Sequence, residues 1–159
     1  MTLDGQTLIF TLEDPHGPVA ASLLLPLIQE LSRRYPEETA DAPVPEGVAS
    51  EKGAFVVAWH ASQPVGCGAL REMEPGVGEV KRMYVTAGLR RVGVGRSLLN
   101  QLVVVAVSLG YNTLRLETGI RQPEALALYE SAAFIRMECY GPYAHNPFSV
   151  CFEKRLQES

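Results

Sequence analysis

No stretch of the chain is built to cross a membrane. None approaches the ~20 consecutive apolar residues of a spanning helix, and the longest apolar run, Leu102 to Val107, reads as part of a buried helix. The opening MTLDGQTLIFTLED has no basic n-region and no leader-length apolar run, so no secretory signal is expected. Positive charge is not in excess either. The formal net charge is −4, which excludes a broad nucleic-acid or anionic-membrane surface. Cysteine is scarce. Cys67, Cys139 and Cys151 are odd in number and form no C-x-x-C pair, so neither a disulfide framework nor a zinc site is expected. All three read as small core residues in a reducing compartment, the cytoplasm. There is no metal-ligand cluster and no Ser-His-Asp order. What the chain does have is apolar content, 47% of 159 residues, enough for one domain with a real core.

One further absence is local. From Gly93 the sequence turns helical, with Val94, Leu98, Leu99, Leu102, Val103, Val105 and Ala106 at helical spacing. That helix start has no acid in its first turn and no good N-cap, yet Arg90, Arg91 and Arg96 crowd it. A helix N-terminus carries partial positive charge, so the bases are on the wrong end. Both problems vanish if an anion sits there. Glycines let the backbone approach, free N–H groups point at phosphate oxygens, and arginines add charge-assisted contacts. The dinucleotide fingerprint fails, because Leu98 stands where a third small residue is needed. The P-loop fails as well, with Arg91 and Arg90 in place of its first glycine. What is present is Arg-x-x-Gly-x-Gly at Arg90, Gly93 and Gly95, five residues after Val85.

The remaining chain divides readily. Strands are expected at Thr7–Leu12, Ala54–His60, Val65–Arg71, Lys81–Val85, Thr113–Thr118, Phe134–Tyr140 and Ser149–Arg155. In the Lys81–Val85 strand, Met83 and Val85 take one face, Arg82 and Tyr84 the other. Helices are expected at Val19–Tyr35, with Leu24, Leu27, Ile28 and Leu31 inward, and at Glu124–Ala132. Pro26 predicts a kink or a delayed start in the first of these. Gly110 supplies the C-cap of the central helix. Residues 36–52, acidic and proline-rich, read as a surface loop, and their charge favours a cationic partner. The order is β-α-loop-β-β-β-α-β-α-β-β. A right-handed crossover makes the strands on either side of the central helix parallel. The rest of the sheet is mostly antiparallel, an α/β mixed sheet with helices on both faces.

This order, with the Arg90–Gly95 motif, resembles the Gcn5-related N-acetyltransferase (GNAT) family over about Ala54 to Leu156. A second motif adds to the likeness: Ala125-Leu126-Ala127-Leu128-Tyr129 followed by Phe134 is similar to the family's Ala-x-x-Leu-Tyr … Gly-Phe. The resemblance implies acetyl-CoA as cosubstrate. Its pantetheine arm would lie on the main chain of Met83, Tyr84 and Val85, and its pyrophosphate on the amides and side chains of Arg90, Arg91, Val92, Gly93, Val94, Gly95, Arg96 and Ser97. A backbone N–H near Met83 would polarise the thioester carbonyl. Glu79 would be the general base and Tyr129 the acid that protonates the leaving thiolate. Taken as residues alone, Glu79 reads equally as a solvated strand-start glutamate near Lys81, and Tyr129 as a core tyrosine.

The chain departs from the family twice. Ala133 stands where the family has Gly, and Gln122 where it has Asn, which bears on Gln122 as a cofactor contact. Tyr143 and His145, in the loop before the last strand, are candidates for the acceptor pocket. The resemblance implies a single-domain N-acetyltransferase acting on an amine of a small molecule or peptide, by direct attack in a ternary complex. A homodimer stands beside a monomer, since dimers are common in the family. Two alternatives stay open: a catalytically silent acyl-CoA-binding or sensing protein, and an unrelated α/β domain for another phosphate ligand.

Overall fold

The computed structural model describes residues 1–39 and 42–156. Strands β3 (Ile9–Leu12), β4 (Ala54–His60), β5 (Gln63–Glu74), β6 (Val77–Val85), β7 (Thr113–Gly119), β8 (Ile135–Met137) and β9 (Ser149–Arg155) form one seven-stranded sheet in the order β3-β4-β5-β6-β7-β9-β8. Only the β6–β7 pair is parallel. The first expected strand is instead two pieces. A small hairpin of β1 (Thr2–Leu3) and β2 (Gln6–Thr7) turns through Asp4 and Gly5, both at positive φ, before β3 joins the sheet.

Helices cover both faces. Helix α1 (Pro18–Arg34) buries Ala20, Leu23, Leu24 and Leu27 against Phe55, Val57, Cys67 and Ala69. Helices α2 (Val94–Ser108) and α3 (Pro123–Ser131) share the opposite face. There Val94, Leu98, Leu99, Leu102, Ala106 and Tyr129 pack on Val56, Val80, Leu114, Leu116 and Phe152. Each such aliphatic side chain contributes roughly 1.5–3 kcal/mol by leaving water. α1 starts at Pro18, not after Pro26, and continues through that proline. The N–H missing there would have bonded the Ser22 carbonyl, and Ser22 is exposed to water, so the loss is small. Ile28 and Leu31 lie only half buried and border an opening rather than the core.

Helix α2 ends as its sequence requires. Gly110 takes φ 93°, its N–H bonds the Val107 carbonyl, and Tyr111 N–H bonds that of Ala106. α3 ends the same way without a glycine. Ala133 takes φ 66°, and the N–H groups of Ala133 and Phe134 bond the carbonyls of Glu130 and Tyr129. Phe134 is thereby driven into the core, so β8 begins later than expected.

β8 also ends early, at Met137, for a covalent reason. Cys139 and Cys151 are joined by a disulfide, Cα–Cα 5.1 Å. This corrects the expectation of three unpaired cysteines. Met137 pairs with Cys151 in the sheet, and the chain then folds back so that Cys139 meets that same residue. Twelve residues separate the two in sequence, a spacing without a signature. Cys67 is free and buried, and burial pushes its thiol up to about 12.

Strand β6 contains a bulge. Cys67 pairs with Tyr84 but Ala69 pairs with Lys81, so Gly68 alone opposes both Arg82 and Met83. Arg82 takes φ 60°, a left-handed conformation costly for a non-glycine residue. Its guanidinium holds the conformation by donating to the carbonyls of Pro43 and Ala42, each at 3.0 Å. Met83 and Val85 face the α2 side, with Val80, and Tyr84 faces the α1 side, as expected. The extra residue lets Lys81 and Arg82 both line the clefts on the α1 side.

Candidate active site

The parallel pairing of β6 and β7 stops at Val80–Leu116. Both strands continue. β6 runs to Val85 with its other edge held by β5, and β7 runs to Gly119 held by β9. Residues 81–85 and 117–119 therefore face each other across a gap, with no ladder between the two strands there. Two adjoining clefts open there. Leu27, Ile28, Leu31 and Tyr35 of α1 wall one side, and Gln122, Tyr129 and Tyr143 close the others.

At one end of the gap lies the α2 N-terminus. Gly93, at φ 95°, is its N-cap and no side chain caps it. The first helical bond is Ser97 N–H to the Gly93 carbonyl, so the amides before Ser97 point outward. Val94 is buried and anchors the turn, while Arg91, Val92 and Arg96 are exposed. Arg91 takes φ 65°. Arg96 donates to Ser131 Oγ at 3.0 Å, and Ser97 Oγ meets Met1 Sδ at 3.1 Å. Arg90 is used differently. It grips Glu30 of α1 with two bonds of 2.8 and 2.9 Å, and its Nε donates to the Val85 carbonyl at 2.8 Å. That contact holds the Glu30 carboxyl below its usual range. Arg90 thus braces the end of β6 against α1, while Arg91 and Arg96 keep their heads on the open side.

The floor of the clefts is polar. Glu79 is 2% exposed. It takes Arg71 Nε at 2.8 Å on one oxygen and the Tyr140 hydroxyl at 2.9 Å on the other. It is not a solvated strand-start residue. Glu117, across the gap on β7, is bonded by Ser149 Oγ at 2.6 Å. Burial pushes its carboxyl up to about 7, against the opposing pull of that hydroxyl and of Lys81. Burial lowers the Lys81 ammonium, with Glu79 pulling it back up. Tyr129 packs against Phe134 and Phe152 and borders the cleft, and burial raises its phenol above the ordinary range. Burial and the Glu79 carboxylate raise that of Tyr140.

Gln122 shapes the β7–α3 turn. Its Oε1 accepts from Gly119 N–H and the Tyr35 hydroxyl, both at 3.2 Å. A Cβ on Gly119 would lie 1.6 Å from the Tyr35 oxygen, so only glycine admits Tyr35 here. Tyr143 borders both clefts and accepts from the Lys81 ammonium. His145 is exposed and lines neither cleft; its neighbour Asn146 does. Among the described residues, no group of three or more His, Cys, Asp or Glu is placed to hold a metal ion. None of their helices is long and apolar enough to cross a membrane.

Comparison with known proteins decides what this arrangement belongs to. The profile of the "Acetyltransferase (GNAT) family" matches residues 24–134. The chain belongs to the GNAT family of acetyltransferases. It is 37% identical over 145 residues to the "IAA acetyltransferase" of Azospirillum brasilense, covering 91% of this chain and 95% of that one. It is 32% identical over 147 residues to the N-acetyltransferase YsnE of Bacillus subtilis, covering 91% and 97%. A solved Klebsiella pneumoniae structure, of a protein assigned as an acyl-CoA N-acyltransferase, superposes with a TM-score of 0.79 at 29% identity, covering 95% and 99%. The fold also matches, at TM-score 0.68 and 18% identity, an Elizabethkingia anophelis GNAT acetyltransferase with acetyl-CoA bound, covering 94% and 98%.

Within this GNAT domain the structure brings Glu79, Met83, Gln122, Tyr129 and Tyr143 to one cleft. Several cleft residues lie outside the motifs, among them Lys81, Glu117 and Asn146. Glu117 did carry a signal. It is an acid in the middle of Leu114-Arg115-Leu116-Glu117-Thr118, a strand whose leucines face the core. Its partner Ser149 lies 32 residues away, so the pairing itself was invisible. Lys81 was hidden by the bulge, which changes the face it occupies.

Proposed function

We propose that this GNAT protein transfers the acetyl group of acetyl-CoA to an amine of a small molecule or peptide, by direct attack in a ternary complex. One observation carries the reading. β6 and β7 part after Val80–Leu116 although both strands run on, and the gap leads to an uncapped helix start at Gly93. The β6 edge that β7 leaves uncovered suits the amide-rich pantetheine arm. The outward first-turn amides, with Arg91 and Arg96 beside them, suit its pyrophosphate. Among the described residues the Gln122 side-chain nitrogen has no hydrogen-bond partner, which leaves it for the same arm.

Acetyl-CoA supplies a thioester whose carbonyl carbon accepts a neutral amine. An acceptor amine arrives protonated, with a reference pKa of ~10.4 for a lysine-type amine. Of the two glutamates at the cleft, Glu117 is the better base. It is raised to about 7, where a carboxylate is both present and basic enough near neutral pH. Glu79 holds Arg71 and Tyr140 with its two oxygens, and in this reading it positions the 140–148 loop. Tyr129 keeps its proton and donates it to the leaving sulfur. A main-chain N–H near Met83 stabilises the developing oxyanion.

The test has two stages. Acetyl-CoA should raise the melting temperature, with about 2.7 kcal/mol of stabilisation at 100 times its dissociation constant, while ATP and NAD do not. Equal shifts with ATP would transfer the site to another phosphate ligand. Released CoA thiol is then followed over an amine panel. Binding without release across the panel would leave a silent acyl-CoA binder.

A further inference from the structure

The cleft floor presents one cation and one carboxylate that are not joined. Lys81 on β6 and Glu117 on β7 face each other across the gap and border both openings. They interact through space, yet Lys81 forms no ion pair among the described residues. Its ammonium has three donors, and its hydrogen bond goes to the neutral Tyr143 hydroxyl. Glu79 and Glu117 favour this half-buried ammonium through space, but among the described residues neither carboxylate contacts it directly. The other charges near the opening are committed. Arg82 is spent on the carbonyls of Ala42 and Pro43. Glu37 takes Arg121 with two bonds of 2.9 and 3.1 Å. Glu38 accepts from Asn146 at 2.8 Å. The acids that favoured a cationic partner in the sequence are thus partly consumed in fastening the segment after α1 to the rest of the domain.

Resting on the acetyltransferase reading above, we infer that the acceptor is a small zwitterion, an amine that also bears a carboxylate, as in a free amino acid: Lys81 receives the carboxylate while Glu117 faces the amine. The two groups sit on opposite walls of one gap, so a short molecule carrying both charges spans it. A polyamine would bring positive charge against Lys81 and Arg82. A segment of a folded protein would have to pass the contacts of Glu37 and Glu38 that tie the segment after α1 to Arg121 and Asn146.

The experiment measures CoA release with amino acids, each matched to its own carboxamide and its decarboxylated amine. In the wild-type protein the acid of at least one matched set should exceed both partners in kcat/KM by roughly 10- to 100-fold, the range of a charge-assisted contact. Lys81→Met should collapse that ratio towards one, and Lys81→Arg should restore part of it. Acetyl-CoA affinity serves as the folding check on both variants. Carboxamides or decarboxylated amines turned over as well as the acids would overturn the zwitterion assignment and leave the acetyltransferase standing. Silence across all acceptors would take down both. The wild-type comparison is decisive even if Lys81→Met does not fold.

Discussion

The two ends of the cleft are made of different material. In the proposed reading the donor end is main chain: outward amides of the Gly93 turn and the edge of residues 81–85 that β7 does not pair. The acceptor end in that reading is side chain: Lys81, Glu117, Tyr143 and Asn146, gathered from β6, β7 and the loop before β9. Main-chain sites need only a backbone shape, so a short local motif specifies them. Side-chain sites need residues brought together by the whole fold. Arg90 marks the boundary between the two. It lies inside the donor motif, yet its bonds to Glu30 and the Val85 carbonyl make it a brace.

Changes at the two ends should therefore fail differently. The two largest effects are expected from Gly93→Val and Glu117→Gln, one at each end. A β-branched residue at φ 95° is a severe outlier, and acetyl-CoA affinity measured by calorimetry should fall by roughly 100-fold. Unchanged affinity would remove the turn from the donor site. Glu117→Gln should leave that affinity alone and lower kcat by about 10²-fold or more. In the wild type, kcat should rise with pH through about 7, and the variant should lose that inflection.

The same carboxyl has an opposite effect on stability. Its folded value, about 7, lies above the ordinary 4.5. Between those values the folded state holds more protons than the unfolded one, so stability falls as pH rises through the window. Glu117→Gln should melt higher than the wild type at pH 8 while catalysing less. A variant that loses both would make Glu117 structural.

Smaller effects sharpen the boundary. Tyr129→Phe should reduce kcat by about tenfold with acetyl-CoA affinity and melting temperature nearly unchanged. Full turnover in that variant would return Tyr129 to the core. Smallest is Ala133→Gly, which relieves a left-handed alanine at φ 66°. Denaturant unfolding should report a gain of about 1 kcal/mol, with kinetics untouched.

Much of this was legible in the residues. The Gly93 turn announced itself by a helix start with the wrong charges, and Gly110 by its place after the last apolar residue of α2. The family's glycine before Phe134 also has a physical reason, because it is a left-handed helix terminator, and Ala133 adopts the same conformation under strain. Other features lay beyond local reading. The disulfide depends on a β8–β9 register that places Met137 opposite Cys151. The surroundings of Glu79 depend on Tyr140, 61 residues on. His145 was a candidate for the acceptor pocket, yet it is exposed, and Asn146 lines the cleft instead.

The bulge at Arg82 acts as a change of phase in β6. Upstream of it the α1-facing positions are odd-numbered, Glu79 and Lys81; downstream the parity flips and Tyr84 takes that face. Deleting Arg82 would leave Lys81, Met83, Tyr84 and Val85 in plain alternation, each on its present face, whereas an insertion or deletion outside the bulge would exchange the two surfaces. It follows that when this chain is aligned with a relative, a gap shifted by one position in this strand reassigns the acceptor-facing residue. Substrate preference inferred from such an alignment is only as good as the placement of that one extra residue.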